Sequence, residues 1–181
     1  MKKKMICITI LLSIVFSILL PVYFITKNAV VETLAITIGV TLYHFAMRLI
    51  VGYTVNALMK NHADPLAFWF QPRKWEENFF KLIQIRKWKK YLPTYDVTSF
   101  DPRQKSMEEI LGASCQAEIV HEIIMPFSLL PIVFIPILGA PVAFILTSLF
   151  AMLFDSLFVI LQRFNRPRLL KAARRFSKNQ K

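Results

Sequence analysis

The chain has 181 residues, of which 55% are hydrophobic, and its mean hydropathy is +0.47. That excess of apolar side chains excludes an ordinary soluble domain, and the length allows about four membrane spans. A net charge of +12 on a soluble protein would suggest nucleic acid, but here the basic residues lie between and after apolar runs. Positive-inside topology and anionic lipid headgroups account for them, so no nucleic-acid partner is expected. Cys7 and Cys115 make no framework of the secreted type, and nothing argues for a disulfide.

In chain order, residues 5–25 are uncharged and follow three lysines. The run is long for a signal peptide and no small-x-small cleavage site follows, so it is expected to stay as a first span. The second apolar stretch, with a span over 31–57, has His44 and Arg48 in its interior, and the short link at 26–30 predicts a hairpin. Residues 60–117 change character, with ten Lys/Arg, seven Asp/Glu and all three tryptophans. Trp75, Phe79, Leu82 and Ile83 fall at i, i+4, i+7 and i+8, one helical stripe, flanked by Arg and Lys. This predicts an amphipathic helix, lying in the headgroup layer or packed on a soluble partner. Pro93 and Pro102 break the loop 91–103. Ser106 and Glu109 make a capping box, so a helix should start there and run through His121 toward Pro126.

The third span is expected over 118–138. Pro126, Pro131, Pro136 and Pro141 recur every five residues, and each proline removes a helical hydrogen bond. A kinked or broken span, or a re-entrant segment, follows. The fourth span, 142–162, carries a single charge, Asp155, and the tail 163–181 has eight basic residues and no acidic one. Pro167 is expected to stop or kink the last helix. The fold class is therefore an all-α integral membrane protein. It has about four transmembrane helices in two hairpins, with a cytoplasmic interfacial segment over 60–117. Residues 1–181 form one membrane domain, multi-pass in the cell membrane, with both termini cytoplasmic.

Arg48 and Asp155 each lie about 10 Å from the inner end of their spans, counting 1.5 Å per residue. An isolated charge there costs a few kcal/mol, so the two are expected to approach each other as an intramembrane pair. Glu118 and His121 share a face of the incoming helix, with Glu122 beside them. A histidine next to a carboxylate is a candidate general base, though interfacial Glu and His are also common without chemistry. The chain has no H-E-x-x-H, no CxxC pair and no G-x-S-x-G, so neither a metal nor a serine nucleophile is expected. After the fourth span, Arg163, Arg166 and Arg168 surround Asn165 and Pro167, and guanidinium forks suit phosphate or carboxylate. A generic stop-transfer anchor is the plainer account of the same residues.

Three blocks, "IRKWKKYLP" (85–93), "AEIVH" (117–121) and "QRFNRPRL" (162–169), resemble the glycosyl-4,4'-diaponeurosporenoate acyltransferases of bacterial carotenoid synthesis. The likeness runs from about residue 68 to the tail. It implies a small integral membrane enzyme that esterifies a sugar hydroxyl of a glucosylated C30 carotenoid acid with a fatty acyl chain. The matching positions offered as candidates are Trp88 and Lys89, Glu118 and His121, and Gln162, Arg163, Asn165, Arg166 and Arg168. On this reading His121, oriented by Glu118, is the base, and the basic residues with Trp88, Gln162 and Asn165 bind substrate or donor. The co-substrate is an acyl thioester, with no other cofactor, and the partners are membrane lipids and a lipid-linked sugar or glycosylated carotenoid. A non-catalytic lipid-binding or assembly subunit and a membrane metallohydrolase are the alternatives.

Overall fold

The computed structural model describes residues 2–93 and 98–179, with side chains through Arg175 apart from that of Thr98. Part of the expected 91–103 loop, residues 94–97, lies outside the described residues, as do Met1 and the end of the tail. Among the described residues the protein is all helical, with no strand. Helix α1 is Lys2–Thr26, α2 Ala29–Met59, α3 Glu76–Leu82, α4 Ile85–Trp88, α5 Met107–Phe127, α6 Ile135–Leu138 and α7 Pro141–Asn179. Four stretches are long and apolar enough to cross a membrane: Lys2–Thr26, Ala29–Met59, Met107–Leu138 and Pro141–Arg175. Beyond its three opening lysines, helix α1 is apolar all round, and it has no buried residue. A side-chain surface of that kind is stable in hydrocarbon and not in water. Its hydroxyls close onto their own helix, Thr9 Oγ1 to the Met5 carbonyl at 2.9 Å and Ser13 Oγ to the Thr9 carbonyl at 2.8 Å.

The local signals in the sequence explain where helices begin and end. Asn28 caps α2, its Oδ1 accepting from the Val30 amide at 2.8 Å. The capping box ahead of α5 is formed. Ser106 Oγ accepts from the Glu109 amide at 3.1 Å, and Glu109 Oε2 accepts from the Ser106 amide at 2.9 Å. Gly139, at φ 66°, and Ala140, at φ 52°, make the two-residue break before α7. Two expectations are corrected. The basic, Trp-rich stretch is not one helix: α3 and α4 are separated by Gln84, whose φ of 51° is left-handed. Trp75 and Leu82 stay exposed while Glu76 turns inward. Of the two outcomes expected at Pro167, a stop or a kink, the stop does not occur, because α7 continues through it. Pro167 cannot donate to the Arg163 carbonyl, and in the turn before it the side chains of Arg163 and Arg166 bind other segments.

The chain divides into two compact units. The first comprises Met1–Tyr53 and Ile123–Asp155. It holds the proline run, which is broken: α5 ends at Phe127, Leu130–Phe134 forms a 3-10 turn, and α6 is four residues long. Pro131 has no N–H to give the Phe127 carbonyl four residues back. The Tyr43 hydroxyl of α2 donates to that carbonyl instead, at 2.8 Å. Hydrocarbon offers no other partner for such a group, so a neighbouring helix has to supply one. Here too Arg48 meets Asp155 in an ion pair, with Asp155 1% exposed. Arg48 Nη1 also donates to the His44 carbonyl at 3.1 Å. An apolar cleft of about 860 Å³ opens between Phe16, Tyr23, Ile36, Leu130, Phe134 and Phe144, among others.

The second unit comprises Thr54–Glu122 and Ser156–Lys181. Its core is the packed face of α5, from Ile110 to Glu118, with Phe70, Ile85 and Arg166. Among the described residues, three of its five buried polar side chains, Glu76, Glu118 and Arg166, belong to one charge group.

Candidate active site

Helix α5 presents Glu118 with no exposed surface. A buried carboxylate is costly unless it is paired and hydrogen-bonded. Arg163 and Arg166 lie three apart on α7 and so share a face. Glu118 Oε1 accepts from Nη1 of Arg163 at 2.7 Å, and Oε2 accepts from Nη2 of Arg166. Arg163 Nε donates in turn to Oε1 of Glu76, 3% exposed, at 2.6 Å. The remaining contacts are to backbone: Arg163 Nη1 to the Trp69 carbonyl at 3.3 Å, Nη2 to the Gln71 carbonyl at 3.1 Å, and Arg166 Nη1 to the Phe70 carbonyl at 3.3 Å. The Arg166 guanidinium also lies 4.7 Å from the centre of the Phe70 ring. Two carboxylates and two guanidiniums thus form a neutral, buried group that ties together residues 69–76, α5 and α7.

One turn along α5 from Glu118, the His121 imidazole stacks on Phe158 of α7, with ring centres 4.6 Å apart and planes 9° from parallel. Glu122 Oε2 accepts from the Trp69 indole at 2.7 Å. Gln162 Oε1 accepts from Ser114 Oγ at 2.8 Å, and the Trp88 indole donates to the Ile83 carbonyl at 2.9 Å. Asn165 is half-buried on α7. Lys89 and Arg168 both lie over the ring of Phe164, at 5.1 and 4.7 Å from its centre, and Phe80 meets that ring edge-on. Burial, and then the nearby Arg168 and Arg86, push the Lys89 ammonium below its ordinary pKa. Among the described residues no three His, Cys, Asp or Glu side chains group so as to hold a metal ion.

Of the residues singled out in the sequence, Glu118, Arg163 and Arg166 are therefore brought together, and Lys89 joins Arg168 at Phe164. Both oxygens of Glu118 are engaged by arginines, and the Arg163 and Arg166 forks are engaged by protein carboxylates and carbonyls. Sequence reasoning missed Glu76, Trp69, Phe70 and Phe158. The aromatic triplet "FWF" at 68–70 was a signal, but Glu76 and Glu77 are adjacent acids and nothing local says which one turns inward.

A sequence profile of the glycosyl-4,4'-diaponeurosporenoate acyltransferase family matches residues 66–175, which is more than half of the chain. The chain belongs to this family. Glu76, Glu118, Arg163 and Arg166 all fall inside the matched segment, as do His121, Phe158, Lys89 and Arg168. The family is one of carotenoid-related acyltransferases. No curated protein and no solved structure matches the chain.

Proposed function

We propose that this protein is a multi-pass membrane O-acyltransferase. It esterifies a sugar hydroxyl of a glycolipid, in the first place a glycosylated C30 carotenoid acid, with a fatty acyl group from an acyl thioester. The family match over 66–175 is the observation that carries the reading. In the proposed arrangement the four spans pair as two hairpins, and both termini and residues 60–117 are cytoplasmic, as the distribution of Lys and Arg favours. The exposed Trp75 and Leu82 suit the headgroup layer. The apolar cleft beside Phe16 and Phe134 is the kind of surface a lipid tail requires.

His121 takes the proton from the sugar hydroxyl as its oxygen attacks the acyl carbonyl. The ester C–O bond forms, the thioester C–S bond breaks, and the thiolate leaves with the proton that His121 returns. The stack on Phe158 limits the tilt of the imidazole. Glu118 acts one step back: clamped between Arg163 and Arg166, it fixes the α5 turn that bears His121. Since those two arginines are engaged by the protein, the cations left to steady the donor are Lys89 and Arg168.

Purified protein incubated with labelled acyl thioester and glycosylated carotenoid acid should yield an ester. His121→Ala should lower the rate about 10²–10⁴-fold, the usual contribution of one general base. A folded His121→Ala protein with near-normal transfer rules out this base, and no ester from the intact protein points to a lipid-binding subunit.

A further inference from the structure

The second unit contains an open cleft of about 1520 Å³, lined by both apolar and charged side chains and lying outside the Glu118 charge network apart from Gln71. One wall is the end of α7. Pro167, Leu170, Lys171 and Arg174 recur at i, i+3, i+4 and i+7, so a single helical stripe lines it, with Arg175 alongside. The facing wall is the turn after α2, and that turn is held in an unusual shape. Lys60 and Asn61 have φ of 47° and 61°, two non-glycine residues in succession in the left-handed region.

The surroundings enforce this shape. Gln116 Oε1 accepts from the Asn61 amide at 2.7 Å, and Gln116 Nε2 donates to Asn56 Oδ1 at 3.1 Å. The Asn61 carbonyl oxygen presses so closely on α5 that a Cβ at Gly112 would stand 2.1 Å from it. The result is a rigid wall that sets Lys60 and His62 on the cleft.

The charges in the cleft are unevenly matched. Lys105 pairs with Glu109 at 2.8 Å, and Asp64 Oδ1 accepts from the Leu66 amide at 2.9 Å. Glu108 remains on the acidic side. Among the described residues Lys60, Lys171, Arg174 and Arg175 have no carboxylate within ion-pair reach. Unpaired cations on both walls of a cleft this large suit a ligand with several phosphates rather than one.

We infer that this cleft holds the phosphorylated nucleotide end of the acyl donor's carrier, coenzyme A in its chemistry. The inference rests on the acyl-transfer reading above. Along α7, Lys171 and Arg174 stand about 20–24 Å beyond Phe158, the partner of His121, at 1.5 Å per residue. A pantetheine arm has the backbone length of about four extended residues, about 14 Å, before its diphosphate begins. Pro167, the edge of the cleft nearest Phe158 on α7, stands about 14 Å beyond it on the same count, so a diphosphate seated at that edge lets the thioester reach the depth of His121 while the nucleotide phosphates lie toward Lys171 and Arg174.

The test is equilibrium binding of unacylated coenzyme A to the full chain in nanodiscs of uncharged phosphatidylcholine. Saturable binding is expected, and it should weaken at least tenfold in Lys171→Gln/Arg174→Gln and several-fold in Lys60→Gln. The second variant sits on the other wall, so a local defect at the end of α7 cannot decide the matter. Absent binding, or binding unchanged in both variants, overturns the inference. So does retention of anionic lipid that coenzyme A does not displace, seen by native mass spectrometry. Ester formation without coenzyme A binding would sink the cleft and leave the transferase standing. Binding without any ester would do the reverse.

Discussion

The buried charge group makes a quantitative prediction. Replacing Glu118 with Gln leaves the Arg166 guanidinium, 1% exposed, without its carboxylate, while Arg163 keeps Glu76 at 2.6 Å. Breaking a buried pair from one side costs about 3–5 kcal/mol, because the remaining charge stays desolvated. Arg166→Gln should cost a similar amount from the other side. The double variant removes one charge of each sign and leaves Glu76 and Arg163 as a neutral pair. It should therefore be less destabilised than the sum of the two singles by about 2–3 kcal/mol. Equilibrium unfolding in mixed detergent micelles measures this directly. Trp69 serves as the reporter, since its carbonyl and indole both bond into the site. Additive effects, with a coupling below about 0.5 kcal/mol, would refute the claim that Glu118 and Arg166 act as one structural group.

Two further outcomes follow from the first unit. Tyr43→Phe strands the Phe127 carbonyl that Pro131 leaves open, which should lower stability by about 1–3 kcal/mol and be read as a fall in Tm. Arg48→Asp and Asp155→Arg should each cut the yield of folded protein, and the double reversal should restore much of it in a detergent-resistance assay. A double reversal no better than either single change would mean that the pair is not what carries these charges into the membrane.

What could be read from the sequence divides by range. The α5 cap needed only Ser106 and Glu109, three residues apart, and it formed as read. The proline run announced a broken helix because each proline acts on its own backbone. Its repair did not, since Tyr43 is 84 residues from Phe127 and carries no mark of that use. The same limit applies at the site. The forks of Arg163 and Arg166 called for phosphate or carboxylate, and nothing near them in the sequence said which. The carboxylate that actually fills them is 45 and 48 residues away. The break at Gln84 was also hidden, because the Trp75 to Ile83 stripe looks the same whether or not the helix continues past it.

The span of chain between these partners also sets a timetable. Glu76 and Glu118 are synthesised well before Arg163, by 87 and 45 residues. At 5–20 residues per second, Glu118 waits about 2–9 s for its first cation and Glu76 about 4–17 s. Until then α5 carries an uncompensated acid on the face it must bury. The matched segment thus cannot close progressively as it leaves the ribosome. It closes when the last helix arrives, and a nascent chain stopped short of Arg163 holds both carboxylates and neither of the arginines that fasten them.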